Sequence, residues 1–467
     1  MRLPAGSKIA ACGLCLLACA AAGPDVRADT VSPDGRIHVT YWDKWISGYE
    51  GTAIETAVAA FNHSQDRIVV DYFITSQIDR KTIIATAGGD PPDVAGLWAQ
   101  NVSTFADAEA LTPLDGFIER DGMTKEQWLS RYYPVFARIC QHGGHVYAGI
   151  STPATMALYW NKTMFREAGL DPDRPPRTLA EFNDDCRKLT KRDPKTGALV
   201  QVGFLPQEPG WWPWAFCCWF GGSMFDGRSV TLATNPHNLE AMRWMQSFTS
   251  ENGLDDVKTF SSYFGPWASP TAPFFTGKLA MVIQGVWYDG YIAQYKPGLD
   301  FGVGPWPEAV PGVPDFAMAE ADILTIPRGA RNPRAAWEFI RYINSCNPGA
   351  RTREELKGAE LLDFLQEKLS PLREWSPYFE QHHPNTHIAV FRHLAESPHI
   401  VCIPDMGTWW EYYREILSAF DKVRLLEATP EQALAYSQKR LDESWARYRL
   451  SLERHGQTVV SGTANPP

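Results

Sequence analysis

Basic residues are outnumbered: 44 Lys and Arg stand against 54 Asp and Glu in 467 residues, a net charge of −10. Phosphate backbones are held by clustered Lys and Arg, so the composition excludes nucleic acid as the expected partner and favours a neutral or cationic ligand. Long apolar runs are also scarce. Residues 9–22 form the one apolar, small-residue stretch of note, too short for the roughly 18–20 residues of a membrane span. Catalytic signatures are missing as well: there is no Gly-x-Ser-x-Gly elbow, no His-Glu-x-x-His and no Gly-x-x-x-x-Gly-Lys loop. The acidic pairs Asp184-Asp185 and Asp255-Asp256 are sequence neighbours, which point to different faces of a helix and cannot act on one bond. No zinc-type spacing occurs. The cluster His382, His383, His387 and His393 has only Glu380 beside it and reads as a polar loop, without the tight spacing and partners of a metal site. No cofactor is implied.

Arg2 and Lys8 precede the apolar stretch, and together they read as a signal peptide over residues 1–28. Two cleavage routes stay open. Leu16-Leu17-Ala18-Cys19 resembles a lipoprotein box, which makes Cys19 the lipidation candidate, and Val26-Arg27-Ala28 suits ordinary signal peptidase. Either route leaves an exported protein, periplasmic or held at a membrane by lipid alone. Three of the nine cysteines lie in this leader. The other six, Cys140, Cys186, Cys217, Cys218, Cys346 and Cys402, are even in number in an oxidising compartment, yet a chain of this length buries a core without staples.

What the sequence does have is aromatic residues: 18 Trp, 17 Tyr and 23 Phe, several of them adjacent. Ile37, Val39 and Tyr41 alternate as a strand, and a loop through Trp45 leads to Ile54, Ala57, Val58 and Phe61 at helical spacing. A second strand over residues 68–74 and Asp90-Pro91-Pro92-Asp93-Val94 extend this to β-α-β, which implies an α/β fold with a parallel sheet. Helix starts are marked by Thr178 with Glu181, by Asn332-Pro333, and by Thr429-Pro430 with Gln432. His142 and His145 flank Gly143-Gly144 as in a hairpin turn, and the polar tail 456–467 reads as flexible.

Several segments carry a family resemblance in order: Gly48-Tyr49-Glu50-Gly51; Gly89-Asp90-Pro91-Pro92-Asp93-Val94; Tyr159-Trp160-Asn161-Lys162; Thr178-Leu179-Ala180-Glu181-Phe182; Phe275-Thr276-Gly277-Lys278; Gly285-Val286-Trp287; and Ile326-Pro327-Arg328-Gly329 with Asn332-Pro333. The chain resembles the family 1 extracellular solute-binding proteins of ABC importers, the group that includes the maltose-binding protein. Gln207-Glu208-Pro209 with Trp211-Trp212-Pro213, and Ile403-Pro404-Asp405 through Trp409-Trp410, are similar to segments of that branch. The resemblance implies a two-lobed, type II periplasmic-binding-protein-like fold, each lobe a mainly parallel sheet flanked by helices. It implies an N-terminal lobe of 36–150 plus 285–330, and a C-terminal lobe of 151–284 plus 331–455. Hinge crossings are expected near residues 150–152, 284–287 and 330.

A sugar ring presents apolar C–H faces and a rim of hydroxyls, so its site needs flat aromatics and polar groups. The resemblance places Trp287 and Trp410 as stacking rings. Trp211 and Trp212 follow, with Trp409 beside Trp410, and some of these rings must pack the core. Trp45 and Ser47 lie in the loop after the first strand, and Trp98, Gln100 and Asn101 in the loop after the third, at the strand ends where open α/β sheets place ligands. Glu208 matches a family carboxylate, Glu320 falls where relatives face the ligand, and Thr155 and Tyr263 are matched by neighbourhood. The expected function is capture of a carbohydrate, an oligosaccharide, by hinge closure, and delivery to an ABC permease by a monomer that does no chemistry. A polyol or glycerol phosphodiester is the alternative ligand. An exported carbohydrate-active enzyme shares the leader and the aromatics but would need two placed carboxylates.

Overall fold

The computed structural model describes residues 29–44 and 48–454. The leader with Cys19, the tail 456–467, and Trp45 and Ser47 therefore lie outside the described residues. One sheet runs through the molecule. Its strands are β1 (Ile37–Asp43), β2 (Ile68–Ile74), β3 (Val94–Trp98), β4 (Ala148–Asn161), β5 (Met281–Gly285), β6 (Phe301–Gly304), β7 (Ala317–Thr325) and β8 (Ile400–Val401). The order is β6-β4-β7-β3-β1-β2, with β5 also on β4 and β8 also on β7. The period-2 pattern of β1 appears as strict alternation of buried and half-buried side chains. All fourteen residues of β4 are buried, because helices and other strands cover it throughout.

β4 and β7 belong to both lobes. The Ala148–Thr152 end of β4 pairs with the Asp322–Thr325 end of β7, which in turn pairs with β3. The far end of β4 carries β5 and β6 instead, and the start of β7 carries β8. The register of the β4–β7 pair slips between Asp322 and Ile323, a bulge that bends a ladder where it changes lobe. This is the two-lobed α/β architecture expected, with one correction to its sheets. Only β1 with β2 and β3, and β7 with β8, are parallel; every pair made by β4 is antiparallel, because the long strands return through the crossing.

The lobe boundaries also differ from expectation. Residues 285–316 pack on the second lobe: β6 pairs with β4, and Tyr288 lies 5.1 Å from Phe275 and 5.3 Å from Tyr159. The chain then stays on the first lobe past residue 330, where the helix Pro333–Ile343 buries Phe339 against Tyr41 and Phe61. It crosses back where Asn385 donates to the Val286 carbonyl and His387 pairs with Asp289. The apolar stripes that decide these packings are visible in sequence; which lobe they meet is not.

Local signals behave as their chemistry dictates. Thr429 and Gln432 make a reciprocal capping box. Thr178 accepts from the Glu181 amide, but the Glu181 carboxylate takes the Arg177 amide instead. Asn332 caps nothing; its side chain joins Thr30 and the His38 carbonyl. The Gly143-Gly144 turn has both residues at positive φ, as a two-residue hairpin requires. Residues 103–107 bind the segment before the helix Trp409–Arg424. Ser103 and Thr104 donate to the Met406 and Gly407 carbonyls, and buried His142 bridges Asp107 and Asp405 at 2.7 and 2.5 Å. Burial opposes a charge on His142, and the bonds to Asp107 and Asp405 outweigh it, pushing its pKa up to about 10. Among the described residues, the six cysteines form no disulfide with one another.

Candidate functional site

Where β4 and β7 change lobe, a cavity of about 240 Å³ opens between the two halves. Its floor is Thr152 and Ala154 of β4, which alternation puts on one face, and Glu320, Ala321 and Asp322 of β7, next to the bulge. Thr155, the next residue along β4, is turned away, fully buried with its hydroxyl near the Phe391 carbonyl. Thr155 thus supports the crossing and does not reach the cavity.

The second lobe supplies aromatic rings. Trp211, Trp212, Trp267 and Trp287 form a closed circuit of contacts: Trp211 meets Trp212 at 5.4 Å and Trp267 at 5.2 Å, both near perpendicular, and Trp287 meets Trp212 at 6.4 Å and Trp267 at 6.3 Å. Such edge-to-face pairs are each worth about 0.5–1.5 kcal/mol beyond area burial, so the rings hold one another in place. The Gly285-x-Trp287 spacing has a steric cause. A Cβ on Gly285 would lie 2.5 Å from the Trp287 ring, so only glycine lets that indole fold back. Trp214, Trp409, Ile403 and Tyr413 complete this side, and the Tyr413 hydroxyl donates to the Trp211 carbonyl at 3.0 Å.

The first lobe supplies charge. Lys368 pairs with Glu50 at 2.7 Å, and Lys44 with Asp322 at 3.0 Å, all four nearly buried. Each ammonium also sits over an indole, Lys368 at 5.7 Å from Trp287 and Lys44 at 5.2 Å from Trp98. Asp43 lies under Lys44 and accepts from Tyr41; burial raises its pKa against the pull of Lys44. Gln100 and Trp98 close the rim. Glu320 differs from the other carboxylates: it accepts from Trp212 Nε1 at 3.0 Å, and among the described residues no basic side chain lies within ion-pairing distance. Burial pushes its pKa up to about 7, the Trp212 bond opposing and Asp322 adding.

Of the residues expected at the site, Trp287, Trp211, Trp212, Trp409, Trp98, Gln100 and Glu320 are brought together here. The others are not. Trp410 faces a separate surface groove with Thr104, Arg447 and Tyr448, because helix neighbours are about 100° apart and Trp409 takes the inward direction. Tyr263 is 78% exposed, and Trp267, four residues on, takes the place expected for it. Asn101 is buried with its amide oxygen accepting from the Trp98 backbone, so it positions Trp98 and stays out of the cavity. Glu208, before Trp211, does not line the cavity; burial raises its pKa to about 7. Sequence reasoning missed the charged Glu50, Asp322 and Lys368, and the apolar Trp214, Trp267, Ile403 and Tyr413. Asp322 had a signal, two residues from Glu320 in a strand and so on the same face. Lys368 had none, since its meaning depends on Glu50, far away in the chain. The clustered histidines have separate partners, among them the Lys368 carbonyl for His383 and Asp289 for His387, and no three potential metal ligands group together among the described residues.

Residues 47–345 match the family of bacterial extracellular solute-binding proteins. The chain belongs to that family. It is similar, at 24% identity over 65% of its own length and 69% of the relative's, to the sn-glycerol-3-phosphate-binding periplasmic protein of Pectobacterium atrosepticum. It is also similar, at 25% identity over 57% of its length, to the maltotriose-binding protein of Pyrococcus abyssi, of which the match spans 53%. Among solved structures, one with mannotriose bound superposes with a TM-score of 0.74 at 25% identity, covering 86% of this chain and 99% of that one. The maltodextrin-binding domain of Bdellovibrio bacteriovorus bound to maltotriose shares the fold, with a TM-score of 0.66 at 17% identity, covering 88% of this chain and 100% of that one. No helix among the described residues is long and apolar enough to cross a membrane.

Proposed function

We propose that this solute-binding protein captures a carbohydrate between its lobes and hands it to the membrane permease of an ABC importer, without chemistry. The observation that carries this reading is the division of one interlobe cavity into an indole wall and a hydrogen-bonding wall, which suits the C–H faces and hydroxyl rim of a sugar. The mannotriose-bound and maltotriose-bound neighbours support it. The ligand would stabilise the closed arrangement because only there do both walls touch it. At about 240 Å³ the cavity lies just below the roughly 300–1,000 Å³ usual for ligand sites, so an oligosaccharide would bury its end here and extend along the cleft. Cleavage is disfavoured because two of the lining carboxylates, Glu50 and Asp322, are committed to lysines, which leaves Glu320 without the second carboxylate a glycosidase needs.

The glycerol phosphate reading is opposed by charge. Among the described residues no arginine lines the cavity, three carboxylates do, and Lys368 is taken by Glu50, whereas phosphate sites use Arg forks or open helix ends. Export through a leader and action as a monomer complete the proposal. Tryptophan fluorescence titration tests it, with neutral oligosaccharides, glycerol 3-phosphate and a cleavage assay run on the same samples. Saturable change with a saccharide and no turnover is expected; a response to glycerol 3-phosphate alone, or turnover, would refute it.

A further inference from the structure

We propose that the cavity selects a carbohydrate bearing a protonated amine, with Glu320 as the counter-charge; this rests on the carbohydrate reading above. Among the charged residues lining the cavity, Glu50, Glu320 and Asp322 face a single lysine, Lys368. Lys368 is held by Glu50, and Lys44, behind the rim, is shared by Asp322 and Asp43. Of the carboxylates lining the cavity, Glu320 is the one with no lysine beside it among the described residues, and its hydrogen bond comes from the neutral Trp212 N–H. A half-buried carboxylate without a cation is costly, and loss of water around Glu320 has already pushed it up to about 7. A neutral sugar leaves that cost in place. A ligand ammonium against Glu320 removes it.

The walls suit a cation for a second reason. Indole faces attract ammonium groups, and Trp98 and Trp287 each already carry a lysine ammonium within 6 Å of the ring centroid. Trp212, which holds Glu320, also touches Trp211 and Trp287, so an ammonium at Glu320 would be next to indoles as well as to a carboxylate. The chain's net charge of −10 favours arrival of a cation in the same direction.

The test uses the intact protein and three saccharide series matched in sugar and linkage, differing only at one carbon: free amine, N-acetylated amine and hydroxyl, in gluco and manno forms, titrated by tryptophan fluorescence at pH 6. The free-amine series should bind about tenfold or more tighter than its N-acetylated counterpart, and Glu320→Gln should bring that ratio to about one. If neutral saccharides bind and the amine series binds no tighter, this proposal fails while the carbohydrate reading stands. If no series binds, the carbohydrate reading fails and takes the proposal with it. If the amine preference survives in Glu320→Gln, Glu320 is not its source and the assignment is overturned. The comparison within the unmodified protein decides the question even if the variant does not fold.

Discussion

The two walls of the cavity are built on opposite principles. The second-lobe wall is a set of indoles that pack on one another, Trp211 with Trp212 and Trp267, and Trp287 closing the circuit. Its strength is spread over many weak contacts, so the half-buried rings Trp211, Trp267 and Trp287 matter more for binding than for stability, whereas Trp212 is buried in the core and serves both. The first-lobe wall is a set of buried ion pairs, Lys368 with Glu50 and Lys44 with Asp322, where each member is needed by its partner. Removing one charge there leaves the other stranded in low dielectric, which is worse than never having buried either. The aromatic wall should therefore govern affinity, and the charged wall stability and geometry.

That contrast breaks most readily at Lys368. Lys368→Met should destabilise the fold by about 3–5 kcal/mol by stranding Glu50, and Lys368→Met with Glu50→Gln should recover much of it, read by denaturant unfolding. Equal loss in the double variant would mean that the pair is not the unit of stability. Trp287→Ala should weaken saccharide binding by about 2–4 kcal/mol while leaving circular dichroism intact; if unfolding accompanied it, the aromatic wall would be core first and site second. Glu320 sharpens the contrast through pH. Its folded pKa of about 7 lies above the usual 4.5, so its burial costs nothing below pH 4.5 and progressively more as pH rises to 7. Glu320→Gln should thus gain up to about 2–3 kcal/mol over the parent above pH 7 and nothing at pH 4; a gain independent of pH would refute the assignment. At the small end, Trp410→Ala should change binding by no more than about 0.5 kcal/mol, and an effect as large as that of Trp287 would put the surface groove into the site.

Much of the fold was legible because it rests on local periodicity. The strands over residues 37–43 and 68–74, the stripe of Phe182, Cys186 and Leu189, and the caps at Thr178 and Thr429 all follow from side-chain spacing and nearest hydrogen-bond partners. Lobe membership was not, because Tyr288 and Phe339 are both buried aromatics and the choice of lobe depends on surfaces distant in sequence. The site divides the same way. Trp287 and Trp212 were reachable from motifs, but the preference for Trp409 over Trp410 is a matter of helix phase at one residue's resolution. Trp267 was overlooked beside Tyr263 because a loop has no period to read.

By itself the sequence determined the family, the α/β alternation, the excess of acid over base and the supply of tryptophan, since each depends on residue type and short-range spacing. The tertiary structure alone decided which indoles meet, which carboxylates find a lysine, and that Glu320 finds none among the described residues. Those outcomes depend on pairs such as Glu50 with Lys368, more than three hundred residues apart, and Coulomb energy follows distance and burial in space, which only the folded chain sets.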